Sequence, residues 1–257
     1  LTFEATPMQF HLISLFPEII HTLDYGVIGR ALHNQNISVN TINPRDFTSD
    51  PHRTVDDRPY GGGPGMVMQY QPLVDAIQSA KRHTKGSKAP VIYLSPQGKP
   101  LTQTMVGTLS QHPELILLAG RYEGIDQRVI DHHVDQEISI GDYVLSGGEL
   151  PAMVLIDAIT RMLPGTLGDA QSNQQDSFQP FLDHDHYTRP PSIDGYDVPE
   201  TLLTGHHAAI EQWRLRSVLR NTWQKRKDLL KRRILTSAEQ DILRQVQDEL
   251  DSPPVTE

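Results

Sequence analysis

The chain has 257 residues, 37% hydrophobic and 21% charged, enough for one or two domains with a substantial core and too apolar for a wholly disordered protein. It contains no cysteine, which excludes disulfides, thiolate metal sites, thioether-linked haem and cysteine nucleophiles. Its formal net charge is −9, a balance that by itself speaks mildly against a nucleic-acid partner.

Residues 1–7 carry neither the basic region nor the apolar run of a secretory signal, and Met8 is where a native start is expected. No stretch approaches the ~18 consecutive apolar residues of a membrane span, so the expectation is a soluble, cytoplasmic protein without a membrane partner. Residues 9–15 are an apolar run ending at Phe16-Pro17-Glu18. A proline followed by an acid signals a helix start, and 19–32 is expected to be one helix. Residues 37–42 alternate as a strand does. A long polar loop follows, whose glycines at 61–65 fit a flexible flap, and helical spacing resumes over 72–81. Residues 91–94 read as a strand closing on Ser95-Pro96-Gln97-Gly98, and 103–109 as a helix. Residues 115–119 read as a buried strand closing on Gly120-Arg121-Tyr122-Glu123-Gly124. A strand at 136–140 leads into a glycine-rich loop at 141–148, and 149–163 has strong helical spacing up to Pro164-Gly165.

This strand–loop–helix alternation indicates an α/β domain with a mainly parallel sheet over 8–163. Residues 164–200 hold only four side chains of the Ile, Leu or Val type, the composition of a flexible interdomain linker or functional loop. Residues 201–251 read as short helices only, a smaller α-helical C-terminal domain.

The charge is segregated. Residues 206–233 carry nine bases against Glu211 and Asp228, and both tryptophans, Trp213 and Trp223, lie among them. Such a run is either a solvated helix face or an electrostatic footprint for phosphates, and composition leaves both open.

Three glycine-bearing loops follow strands, and in an open parallel sheet such loops converge on a ligand site at the carboxyl ends of the strands. Glycine lets the backbone approach a ligand closely. No G-x-G-x-x-G follows a strand and no G-x-x-x-x-G-K-[ST] occurs, which argues against a dinucleotide site and a phosphate-loop NTPase. Asp131-His132-His133 and Asp183-His184-Asp185-His186 contain metal-ligand residue types, although solvated or loop-ordering roles are expected for both. Glu123, Asp142 and Asp176 are the acid–base candidates, with Arg161 a strong cation near the end of the 149–163 helix.

The motifs DDRPYGGGPGM (56–66), YLSPQG (93–98), GRYEGID (120–126), SIGDYVLSGGELPAM (139–153) and HYTRP (186–190), with GHH (205–207) and WRL (213–215), closely resemble bacterial tRNA (guanine-N1)-methyltransferase of the SPOUT class, over about residues 8–230. The resemblance implies a sheet domain threaded into a deep trefoil knot over about 91–150, a topology that ordinary connection rules exclude. It implies S-adenosylmethionine as methyl donor, held by Tyr93, Leu94, Ser95 and Pro96, by Gly120, Tyr122, Glu123 and Gly124, and by Ile140, Gly141, Tyr143, Leu145, Gly147 and Gly148. The acceptor implied is N1 of the guanine immediately 3′ of the anticodon, a modification that maintains the reading frame.

Guanine N1 is a poor nucleophile until its proton leaves, which calls for a base, and the charge that develops on O6 calls for a cation. On the family's pattern Asp176 is the base and Arg161 the O6 partner. Glu123 would help hold guanine, donor or magnesium, and Asp176 is a second candidate magnesium ligand. Substrate contacts are expected from Asp57, Arg58, His186, Tyr187 and Arg189, and from Arg214, Arg220 and Lys225 in the basic, tRNA-binding segment. A homodimer with its active site at the subunit interface is implied as well. The linker is expected to order over a base flipped out of its stack. Two other readings are a SPOUT-class enzyme with a different RNA target and a non-catalytic RNA-binding module.

Overall fold

The computed structural model describes residues 7–84, 88–168 and 176–251. The chain divides into two compact units, Leu1–Ala170 and Gln171–Glu257. The first begins with β1 (Met8–Ile13), a 3-10 segment (Pro17–Leu23), α1 (Gly26–His33), β2 (Ile37–Ile42), a second 3-10 segment (Pro44–Phe47), β3 (Asp56–Asp57), β4 (Val67–Met68) and α2 (Tyr70–His83). It continues with β5 (Val91–Pro100), α3 (Gln103–Leu109), β6 (Glu114–Ala119), α4 (Gln127–His133), β7 (Gln136–Ser139) and α5 (Glu149–Thr160).

Five strands form a parallel sheet in the order β2-β1-β6-β5-β7. Its central strands are apolar at consecutive positions because both faces are covered. Phe10, Leu12, Ile92, Leu94, Leu115 and Leu117 turn one way, onto Leu155, Ile156 and Ile159 of α5. Their neighbours Ile13, Val91, Ile116 and Leu118 turn the other way, onto Leu73, Ala76 and Ile77 of α2. The two-residue period of a strand thus feeds two cores from one sequence run. The class is α/β with a parallel central sheet, as expected.

Two boundaries differ from expectation. The single helix expected over 19–32 is broken at Asp24-Tyr25: Gly26 takes a left-handed φ of 65°, and a Cβ at Gly29 would collide with the Asp24 carbonyl. The strand expected to close after Leu94 resumes at Lys99. Leu94 and Lys99 both pair with Ile138, so Ser95-Pro96-Gln97-Gly98 is extruded as a bulge within β5.

The second unit contains the two-residue antiparallel pair β8 (Ser192–Ile193) and β9 (Tyr196–Asp197), a 3-10 segment (Glu200–Leu203), α6 (His207–Lys225), another 3-10 segment (Lys227–Lys231) and α7 (Ser237–Asp251). Short helices were expected here, yet α6 runs for 19 residues. Its start is capped by His206, whose Nδ1 accepts from the Ala209 amide at 3.1 Å; histidine is not among the usual cap residues. Phe181, Leu219, Leu229 and Leu243 make the core of this unit. Of the stretch read as a linker, 169–175 lie outside the described residues. Phe181 is buried, and the amides of Leu182 and Asp185 donate to Thr222 and Ser217 of α6.

Candidate active site

The carboxyl ends of β5, β6 and β7 lie side by side, and a single cleft opens there. It is lined by Tyr93, Leu94, Ser95 and Pro96, by Gly120, Tyr122, Glu123 and Gly124, and by Ile140, Gly141, Tyr143, Leu145, Gly147 and Gly148. The three loops singled out in the sequence therefore surround one space. β5 lies between β6 and β7, so the chain leaving β6 passes β5 before it enters β7.

The loop after β6 is clamped on both sides. On one, the Gly148 amide donates to the Gly120 carbonyl at 2.8 Å, and Arg121 bridges Gly147 in antiparallel fashion. On the other, the Glu123 amide donates to Met66 O at 3.0 Å and the Met68 amide to Gly124 O at 2.9 Å. The turn between the clamps is tight: Tyr122 sits at φ 62° and Gly124 at 138°, the former an uncommon conformation for a bulky side chain. A Cβ at Gly148 would stand 2.7 Å from Ala119 Cα, so glycine is what allows the two loops to touch.

Sequence reasoning missed the group that ties these loops together. Glu149 is only 1% exposed. It accepts from Ser14 Oγ at 2.9 Å and forms an ion pair with Arg121, Nε to Oε2 2.9 Å, off the line of a good hydrogen bond. The Arg121 guanidinium also donates to Ser146 O at 3.2 Å and lies 4.6 Å over the Phe16 ring. Three chain segments, the stretch just after β1, the 120–124 loop and the start of α5, are thereby locked. An acid directly after two glycines, at the first position of an apolar helix, was the available signal.

Burial pushes the Tyr93 phenol up to about 12, with the nearby Glu137 carboxylate adding to the rise; Tyr93 is a neutral wall of the cleft. Burial also raises Tyr122, helped by Asp56 beside it. Glu123 is exposed on the cleft wall and its side chain fills the space over Gly65, where a Cβ would strike it. Asp142 is exposed in the turn between Gly141 and Tyr143. Arg161 is the C-cap of α5, its amide bonded to Asp157 O. Asp176 belongs to the second unit and is half-buried. Asp57, on β3, and Arg58 are exposed, and the Arg58 amide donates to Asp57 Oδ1 at 2.7 Å.

In the second unit the basic segment is less open than its composition suggests. Arg214 pairs with Glu211, Arg216 with Glu249, Arg220 with Asp185, Arg226 with Asp228 and Arg233 with Glu239. Lys225 reaches Asn221 Oδ1 at 3.4 Å, and Lys227 lies 4.0 Å over the Trp223 ring. Tyr187 is half-exposed and meets Trp213 edge-on at 6.0 Å. His186 Nε2 donates to Asp183 Oδ2 at 3.0 Å, and Arg189 is exposed. Of the other histidine run, His133 is bonded to the Tyr70 hydroxyl at 2.9 Å.

Among the described residues no helix is long and apolar enough to cross a membrane. Residues 8–232 match the family described as tRNA (Guanine-1)-methyltransferase TrmD. Three proteins named tRNA (guanine-N(1)-)-methyltransferase are similar over nearly the whole chain. That of Pseudoalteromonas atlantica is 55% identical over 95% of this chain and 93% of its own. That of Aeromonas hydrophila is 56% identical over 92% and 95%. That of Coxiella burnetii is 57% identical over 90% and 94%.

Proposed function

The chain belongs to the tRNA (guanine-1)-methyltransferase family, and from that membership we propose that it methylates N1 of the tRNA guanine immediately 3′ of the anticodon, with S-adenosylmethionine as donor. The convergence of three glycine-bearing loops on one cleft is the observation that carries this reading. The cleft suits that donor. Tyr122, Tyr143 and Leu145 offer apolar surface for a purine and for the methylene groups flanking a sulfonium. Gly120, Gly141 and Gly147 let the backbone approach a ligand closely, and Glu123 offers an anion to a cationic ligand.

When bound, S-adenosylmethionine supplies an electrophilic methyl on a sulfonium. The chain's own residues do the rest. Asp176 takes the N1 proton of guanine, and Arg161 neutralises the charge that then gathers on O6. The loops clamped by Arg121 and Glu149 fix the donor pocket, so that positioning dominates the transfer. Asp57, Arg58, His186, Tyr187 and Arg189 hold the flipped base and its neighbours. Arg214, Lys225 and, on releasing Asp185, Arg220 meet the phosphates. Glu123 and Asp176 are hard oxygen donors of the kind magnesium takes, and are the residues we propose for that ion.

The same reading includes a trefoil knot made where the chain passes β5 between β6 and β7, a SPOUT domain over 8–163, a linker over 164–200 and a tRNA-binding domain over 201–251. It also includes a homodimer in the cytoplasm, where tRNA is found. In its support, α5 buries one face in the core while Leu150 and Val154, one turn apart, stand 52% and 46% exposed on the other, an apolar surface for a second copy to cover.

The base assignment has a direct test. Asp176→Asn should bind S-adenosylmethionine as the wild type does and lose roughly 10²- to 10⁴-fold in single-turnover methyl transfer. Near-normal transfer would remove Asp176 from the chemistry.

A further inference from the structure

We propose that Asp183, His184 and His186 form a binding site for one divalent first-row metal ion, zinc foremost, on the surface of α6. The site shares His186 with the residues proposed to hold the flipped base, but its metal binding does not rest on that reading. The three residues offer ligand atoms that all lie within 4.8 Å of one another. Two imidazoles and one carboxylate are the donor types zinc takes in sites that leave an open position.

The hydrogen bonds around the cluster orient its imidazoles as a metal ion would need them. His184 Nδ1 lies 2.9 Å from the Asp185 backbone carbonyl. A carbonyl only accepts, so Nδ1 carries the proton and Nε2 is turned toward Asp183 Oδ1, 3.9 Å away. That oxygen already accepts from the His184 amide at 2.7 Å, so a neutral His184 leaves its bare Nε2 beside an anion with no hydrogen bond between them. If His184 is charged, 3.9 Å exceeds the roughly 2.7–2.9 Å of a charge-assisted hydrogen bond. A metal ion resolves both cases. It needs ligand atoms about 3.3 Å apart, the edge of a tetrahedron at a bond length of about 2.0–2.1 Å. Asp183 Oδ2 and His186 Nε2 are 3.0 Å apart, a hydrogen bond in which the imidazole donates, and that proton leaves when a metal ion takes its place. An Nδ1–H bonded to a backbone carbonyl, with Nε2 turned to the ligand, is the outer-shell arrangement that orients metal-binding imidazoles.

The backbone carrying the ligands is held from outside. The Asp183 amide donates to Ser177 Oγ at 3.0 Å, and Asn221 Nδ2 donates to Asp183 O at 3.0 Å. The Asp185 amide donates to Ser217 Oγ at 2.9 Å. Asp185 is occupied by Arg220 and by Asn221 Nδ2, leaving Asp183 as the carboxylate that turns to the imidazoles. The His184 ring is backed by Trp213, edge-on at 6.3 Å. His186, 69% exposed at its side chain, gives an entry path and the freedom to adjust.

The test is titration of EDTA-stripped, full-length protein with Co²⁺, read by its visible d–d absorption, with Zn²⁺ as competitor. The wild type should bind one equivalent. His184→Ala and Asp183→Asn should weaken it by at least about tenfold, while His132→Ala, at an exposed histidine of the first unit, should leave it unchanged. His184→Cys guards against a folding defect. The chain has no other cysteine, so this variant should bind one Co²⁺ with a new thiolate-to-cobalt charge-transfer band. Unsaturable binding, binding unchanged in His184→Ala, or no charge-transfer band in folded His184→Cys would each overturn the site.

Discussion

Arg121 ties the walls of the cleft together. Its guanidinium meets the buried Glu149 carboxylate, the Ser146 carbonyl and the Phe16 ring. Removing it leaves a carboxylate inside the protein with Ser14 as its remaining hydrogen-bond donor, and uncompensated buried charge is costly. Arg121→Ala is therefore expected to destabilise the first unit by about 2–4 kcal/mol in urea unfolding and to weaken S-adenosylmethionine binding by calorimetry. Unchanged unfolding and affinity together would show that the clamp carries no load. Single residues were unevenly legible in the sequence. The cleft-lining glycines announced themselves, because a backbone that must approach a ligand or another loop leaves no alternative residue. The Ser14–Glu149–Arg121 group did not, because its members are 135 and 28 positions from Glu149 along the chain and only the fold brings them together.

At the scale of elements, the start of α7 shows how one local motif sets a pH response. Thr236 Oγ1 accepts from the Glu239 amide at 3.3 Å, and Glu239 Oε2 accepts from the Thr236 amide at 2.8 Å, a reciprocal cap of two otherwise orphaned donors. Arg233 adds two bonds to the same carboxylate, at 2.9 and 2.5 Å, and the Glu239 carboxyl is held down at about 2 from its ordinary 4.5, chiefly by Arg233. A depressed carboxyl stabilises the fold above its unfolded value and ceases to as pH falls through its folded one. The contribution is thus complete above about pH 4.5 and gone near pH 2. Glu239→Gln should cost on the order of 2 kcal/mol at neutral pH in urea unfolding followed by helix circular dichroism. The gap to wild type should close between pH 4.5 and about 2; a gap independent of pH would contradict the assignment. Most elements were readable from periodicity, with α3 found to the residue. The departures have local reasons: the break at Gly26, the extrusion of 95–98 that lets β5 resume, an α6 begun by a histidine cap, and the two-residue pairs β3–β4 and β8–β9, too short to leave a period.

For the whole molecule, a net charge of −9 and a basic segment of nine cations coexist. The fold moderates the contrast, since five of those cations are engaged by acids, three of them outside the segment. Lys231 and Arg232, exposed, are better probes of phosphate contact than Arg220, whose loss would also release Asp185. Lys231→Ala with Arg232→Ala should weaken tRNA binding and flatten the slope of log Kd against log salt by about 1 to 2; an unchanged slope would place the RNA elsewhere. Charge patterning could be read from the sequence, whereas the pairing that tempers it could not, because Asp185 and Glu249 lie more than thirty residues from the arginines they meet. The parallel α/β class was legible from alternation alone. The passage of the chain from β6 past β5 to β7 has no periodic signature and entered only through family resemblance. The most direct measurement is transfer of labelled methyl from S-adenosylmethionine to two tRNA transcripts that differ only in guanine or adenine 3′ of the anticodon, followed by nucleoside analysis of the product. The expected result is 1-methylguanosine from the guanine transcript and no label on the other. Equal labelling of both, label at another atom, or none on either while the donor still binds would contradict it.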